Sequence, residues 1–173
     1  MSGTSFRLLD YRDPGDAATL VALLDAYARD PAGGGEALGE EARAHLAERL
    51  AERPDAFSIV GEVELEGDDD VAGARALEPV ALANCFVTLS TFAARPIVYV
   101  HDLMVVESMR GRGTGRALLE AIEREARRRG AVKLTLEVLE GNAPARAAYE
   151  RFGFVEYRLD GGWGAALFRQ KHL

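Results

Sequence analysis

The stretch MRGRGTGRALLEAI, residues 109–122, constrains what this chain can fold into more than any other. Gly111, Gly113 and Gly115 are set among Arg110, Arg112 and Arg116, and the chain then passes into strong helix formers. Glycine inside a structured segment costs about 0.5–1 kcal/mol relative to alanine, so something there needs bare backbone. Upstream, RPIVYVHDLMVVE (95–107) is dense in β-branched residues and reads as a strand. Downstream, Leu118, Leu119, Ile122 and Ala126 make one apolar helical face. The glycines therefore occupy a strand-to-helix turn, where unpaired N–H groups and the positive end of the helix dipole favour an anion. A phosphate or pyrophosphate is the ligand this implies. A dinucleotide-binding fingerprint needs a sixth-position glycine, and counting from Gly111 that position holds Arg116. A Walker A loop needs Gly-Lys-Ser/Thr, which is absent.

Composition narrows the class of partner. The 173 residues are 48% hydrophobic and carry a formal net charge of −7, which fits one α/β domain and disfavours a nucleic-acid partner. No apolar run approaches the ~20 residues of a membrane span, so no membrane partner is expected and a cytoplasmic location is. The lone cysteine, Cys85, lies in an apolar run and reads as a small buried hydrophobe. His45 and His172 have no partner at metal-ligand spacing, so no metal is expected.

Along the chain, strands are expected at 6–11, 56–66, 80–92, 95–107, 132–139, 154–159 and 165–170. Helices are expected at 15–30, from Glu40 to Pro54, after the glycine loop up to Gly130, and over 141–154. The last of these has Asn142 as N-cap, Pro144 in its first turn and Gly153 as its stop. The acidic run at 67–70 reads as a solvated turn. The order is β-α-α-β-β-β-α-β-α-β-β, read as one domain over 1–173.

Two segments resemble the GNAT superfamily of N-acyltransferases. VYVHDLMVVESMRGRGTGRALLEAI is similar to that family's central strand, pyrophosphate loop and helix. LEGNAPARAAYERFGF resembles its Asn-x-x-Ala-x-x-x-Tyr-x-x-x-Gly-Phe signature, with Asn142, Ala145, Tyr149, Gly153 and Phe154 in the matching places. The C-terminal GGWGAALFRQKHL looks most like spermidine/spermine-type acetyltransferases and their bacterial relatives. The resemblance implies a mixed, mostly antiparallel central sheet of six to seven strands flanked by helices. It also implies acetyl-CoA as co-substrate, a small-molecule or peptide amine as acceptor, and a homodimer by analogy.

Residue by residue, the resemblance assigns roles as follows. Gly111, Gly113, Thr114 and Gly115, with Arg110, Arg112 and Arg116, would hold the pyrophosphate. Backbone groups of Leu103, Met104 and Val105 would pair with the pantetheine arm, and one of their amides would polarise the thioester carbonyl. Asn142 and Ala145 would also contact the cofactor arm, and Asn142 alternatively serves only as the helix cap. Tyr149 would protonate the departing thiolate. His101 and Asp102 stand where the family often has a glutamate base; either is a candidate base, either is alternatively structural, and a water chain is a third option. Adjacent strand residues face opposite ways unless a bulge intervenes. Acceptor contacts would come from Tyr27, Asp30, Thr91, Asp160 and Trp163. Thr91 stands near where polyamine enzymes carry an acidic residue, a departure from that pattern. The competing reading is a non-catalytic acyl-CoA sensor on the same scaffold.

Overall fold

The computed structural model describes residues 3–65, 76–159, 161–162 and 164–171. The acidic turn at 67–70, with Asp160 and Trp163, lies outside them. The chain divides into two compact units, 1–139 and 140–173.

The first unit is built on five strands: β1 (Ser5–Leu8), β2 (Ala56–Glu64), β3 (Leu77–Ser90), β4 (Arg95–Val105) and β5 (Leu134–Leu136). They lie side by side in sequence order, antiparallel except for the parallel pair β4–β5. Three helices accompany them: α1 (Pro14–Arg29), α2 (Glu40–Ala51) and α3 (Thr114–Arg128). α1 starts on its own sequence signal, since Asp13 accepts a hydrogen bond from the Asp16 amide at 2.9 Å and Pro14 occupies the first turn. Period-two alternation splits the sheet into two faces. Val60, Leu82 and Met104, paired across β2, β3 and β4, join Leu20, Leu23 and Leu24 of α1 in one core. α3 packs over β2, β3 and β4, presenting buried Leu118, Leu119 and Ile122.

The second unit holds α4 (Ala143–Phe152), β6 (Arg158–Leu159) and β7 (Gly164–Ala165). The expected element order is observed, but the central sheet has five strands rather than six to seven. β6 and β7 pair with each other as a separate two-stranded sheet. Glycines 161, 162 and 164 have φ of 81°, 88° and 77°, left-handed backbone, and the ladder pairs two residues per strand.

Candidate active site

β4 carries the site because it loses a neighbour partway along. Its ladder with β5 ends at Val100↔Leu136, whereas its ladder with β3 continues to Ala81↔Val105. From His101 to Val105, the β5 side of β4 has no ladder partner among the described residues. That open edge includes Leu103, Met104 and Val105, and Met104 buries its side chain in the α1-side core.

The same point on β4 is distorted toward β3. Asn84 pairs with Asp102 and Cys85 with Val100, so His101 is an extra residue with no opposite number. A one-residue bulge turns two consecutive side chains to the same face. Tyr99, His101 and Asp102 accordingly gather together: His101 is edge-on to Tyr99 at 5.5 Å and to Phe86 at 5.7 Å, and its Nδ1 lies 3.3 Å from Asp102 Oδ2. That bond raises the His101 pKa above 6.5, opposed by desolvation and assisted by the charges of Asp102 and Glu137. The His101 side chain is 54% exposed and Asp102 only 19%, so the imidazole is the member of the pair that faces solvent.

A buried polar row supports Asp102 from behind. Ser58 on β2, Asn84 on β3 and Asp102 on β4 stand directly opposite one another. Asn84 Nδ2 donates to Asp102 Oδ2 at 3.0 Å, and Ser58 Oγ donates to Asn84 Oδ1 at 2.6 Å. Tyr11, between β1 and α1, places its hydroxyl 2.8 Å from Ser58 Oγ.

The glycine loop follows β4 through a short 3-10 turn, Glu107–Met109. Gly113 caps α3 with φ 88°, a left-handed conformation costly to any residue with a Cβ. Among the described residues no side chain caps that helix end. Gly115 differs: its backbone is helical, and an added Cβ would make only ordinary contact, 3.7 Å from Val105 Cγ2. Nothing among the described residues requires glycine there, so its bareness fits a ligand lying against the helix end. Arg110 donates through Nε to the Val105 carbonyl at 2.9 Å and through Nη2 to Asp30 Oδ2 at 2.8 Å. Arg112 is exposed, and Arg116 pairs with Glu120 at 3.0 Å. These features fit an extended ligand that ends in a diphosphate.

Of the expected acceptor residues, Tyr27 and Asp30 are brought to this region. Burial raises the Tyr27 pKa, with Asp102 and Asp30 adding to the effect. Thr91 is not brought there: it is exposed in the β3–β4 turn, ten residues along β4 from Val105 by ladder register, about 30 Å away. In the second unit Asn142 caps α4, its Oδ1 accepting from the Ala145 amide at 3.2 Å. The half-buried Tyr149 ring is edge-on to Phe154 at 5.8 Å. The sequence reading missed Tyr11, Ser58, Asn84 and Glu137. A serine and an asparagine inside apolar strand runs were the available signal. Among the described residues no cluster of His, Cys, Asp and Glu could hold a metal ion, and no helix is long and apolar enough to cross a membrane.

The family model described as "Acetyltransferase (GNAT) family" matches residues 20–154. Streptothricin acetyltransferase of Streptomyces lavendulae is 39% identical over 111 residues, 62% of this chain and 57% of that protein. The chain spans about half the length of the curated relatives it matches. Among solved structures, AAC(6')-Iy in complex with the bisubstrate analogue CoA-S-monomethyl-acetylneamine superposes with a TM-score of 0.71 at 14% identity, covering 99% of this chain and 100% of that one. Ribosomal-protein-alanine N-acetyltransferase from Brucella melitensis biovar Abortus 2308 gives 0.64 at 20% identity, covering 97% and 100%. At these identities the two structures establish the fold alone. The family match does not select the spermidine/spermine-type branch.

Proposed function

We propose, from the premise that the chain belongs to the acetyltransferase (GNAT) family, that it is a single N-acetyltransferase domain that acetylates a primary amine with acetyl-CoA. The observation that carries this reading is where β4 parts from β5: the open edge begins at His101–Asp102 and leads directly into the glycine loop. Acetyl-CoA supplies the activated acetyl group and departs as the free thiol. The loop from Arg110 to Arg116 holds its diphosphate, and Asn142 and Ala145 contact its arm. Backbone amides along Leu103–Val105 bind that arm as an added strand, and one of them polarises the thioester carbonyl.

His101 is the base. Its Nδ1 faces Asp102, which leaves Nε2 to take the proton from the acceptor ammonium. The amine nitrogen then attacks the carbonyl carbon, the C–S bond breaks, and Tyr149 gives its phenolic proton to the thiolate. A phenol pKa near 10 matches that of an alkyl thiol, which suits this transfer. Asp102, Glu137 and Asp30 supply negative charge around Tyr27 and His101, suiting a cationic acceptor. The similarity to a streptothricin acetyltransferase supports a small-molecule amine over a peptide. Asp160 and Trp163 are the remaining acceptor candidates.

The test is thiol release from acetyl-CoA across a panel of aminoglycosides, streptothricin, polyamines and peptides, with wild type, Tyr149→Phe and His101→Gln. Tyr149→Phe is expected to lose roughly a hundredfold or more in turnover while binding acetyl-CoA as wild type does. Binding without turnover on any amine would favour the sensor reading, and absence of acetyl-CoA binding would overturn both.

A further inference from the structure

The row formed by Tyr11, Ser58 and Asn84 lies outside the machinery described for the family motifs, yet it leads into His101. Its hydrogen-bond directions are determined. An asparagine beside a carboxylate must present its NH2, since two facing oxygens repel, so Nδ2 goes to Asp102 and Oδ1 is left for Ser58. Ser58 spends its only proton on that oxygen, so its Oγ accepts from the Tyr11 hydroxyl. Every donor along the row therefore points toward Asp102. Ser58 and Asn84 are 0% and 4% exposed, so neither water nor a rotamer change can easily reverse the order. Burial also raises the Tyr11 pKa, which keeps it a protonated donor at neutral pH.

We propose that Tyr11, Ser58 and Asn84 are positioning residues that orient Asp102, and through it the Nδ1–H tautomer of His101, so that Nε2 presents its lone pair to the acceptor amine. The bulge at His101 and the row are complementary: the bulge turns His101 and Asp102 to one face, and the row fixes which Asp102 oxygen is available there. Asp102 Oδ2 receives Asn84 Nδ2 and stands 3.3 Å from His101 Nδ1. Without Asn84 the carboxylate is free to rotate, and the imidazole loses the contact that selects its tautomer. This inference rests on His101 as base, and its test separates the two claims.

The other titratable groups around this pair are Glu137 after β5 and Tyr99 on β4, both near His101. Tyr27 of α1, Tyr99 and the buried Cys85 of β3 sit within the field of Asp102. None of them lies in the row, so substitutions in the row leave them in place.

The experiment uses 15N-labelled histidine in the full chain, with His101 assigned by loss of its signal in His101→Gln. In wild type the imidazole is expected to hold Nδ1–H and to titrate above 6.5. In Asn84→Ala it is expected to become a tautomer mixture with its midpoint moved down toward 6.5. kcat with a good amine is expected to fall roughly ten- to a hundredfold, with the KM for acetyl-CoA unchanged and the acidic limb of kcat/KM moved with the midpoint. Tyr11→Phe, which keeps the ring in place, is expected to give a smaller change in the same direction and carries the test if Asn84→Ala does not fold. Ser58→Thr should restore what Ser58→Ala loses. An imidazole with wild-type tautomer and midpoint in Asn84→Ala, or in Tyr11→Phe if that variant carries the test, would overturn the positioning role. An altered imidazole with an unaltered kcat/KM profile would support the positioning role and overturn His101 as base.

Discussion

Arg110 and Asp30, eighty residues apart, meet at 2.8 Å, with the guanidinium Nη2 donating to Asp30 Oδ2. The same guanidinium holds the Val105 carbonyl at 2.9 Å, so one side chain joins the glycine loop, the end of β4 and the end of α1. Asp30 has its own place in the turn, accepting from the Ala32 amide at 2.8 Å, and that bond, then Arg110, holds its carboxyl below the usual carboxylate range. On the proposed function, a diphosphate arriving at the loop would compete with Asp30 for Arg110.

That competition gives the first prediction. Asp30→Asn keeps an oxygen acceptor for Ala32 and removes the rival charge. Exposed ion pairs contribute about 0.2–1 kcal/mol, so acetyl-CoA binding is expected to tighten by roughly 1.4- to fivefold at low salt. Calorimetric titration checks it, and a weaker complex would mean that the ion pair supports the binding-competent loop.

Of the three glycines in the Arg110–Arg116 stretch, Gly113 and Gly115 are expected to respond oppositely. Gly113→Ala forces a Cβ into left-handed backbone and should lower stability by about 1–2 kcal/mol. Gly115→Ala meets only ordinary contact in helical backbone, so its thermal midpoint should hold or rise. Its acetyl-CoA affinity should nonetheless fall. Unchanged affinity in Gly115→Ala would place the diphosphate elsewhere.

His101 links activity and stability with opposite signs. Its raised pKa in the folded state means that its contribution to stability is fully present below the unfolded value near 6.5 and is lost as pH rises through the folded pKa. Turnover should rise over that same interval, as the imidazole loses its proton. Urea titrations and initial rates across pH 5.5–8.5 should show the two trends crossing in wild type. Both should be absent in His101→Gln.

Arg7 is a separate, structural clamp. Its guanidinium donates to Asp16 at 2.8 and 2.9 Å and to Glu62 at 2.8 and 3.0 Å, binding β1 and β2 to the start of α1. Arg7→Met leaves two carboxylates without their partner and should cost about 1–3 kcal/mol by denaturant unfolding. Arg7 holds the Asp16 carboxyl below the usual carboxylate range, so this stabilisation is present above about pH 3.9 and fades as pH falls through the folded value. The difference between wild type and variant should shrink correspondingly in acid.

Burial pushes the Cys85 thiol up to about 12. In native protein it should not react with a chromogenic disulfide reagent at neutral pH, while urea-unfolded protein should react in full. Thiol-release assays of the native enzyme should therefore carry no protein background, and a reactive native thiol would show that β3 opens.

Local signals were legible wherever a few neighbouring residues decide the outcome. Asn142 and Gly153 bracket α4, and the glycine run ends where α3 begins. Each is a short-range hydrogen bond or backbone preference. The C-terminal strands were less legible: six residues were expected in each, and the ladder pairs two in each. The His101–Asp102 pair was visible as two letters, but not the bulge that turns both to one face, because a bulge exists only relative to a partner strand.

By itself the sequence determined the order of elements, which depends on periodicity, caps and glycines within each segment, and the resemblance of two motifs pointed to the family that the match over residues 20–154 shows. Tertiary structure alone decided that β4 parts from β5 after Val100 and that Tyr11, Ser58, Asn84 and Asp102 form one directed row. Those four residues are joined across separations of 47, 26 and 18 residues. No local pattern encodes such contacts. They exist because strand register lines up three polar side chains and burial requires each to find a partner.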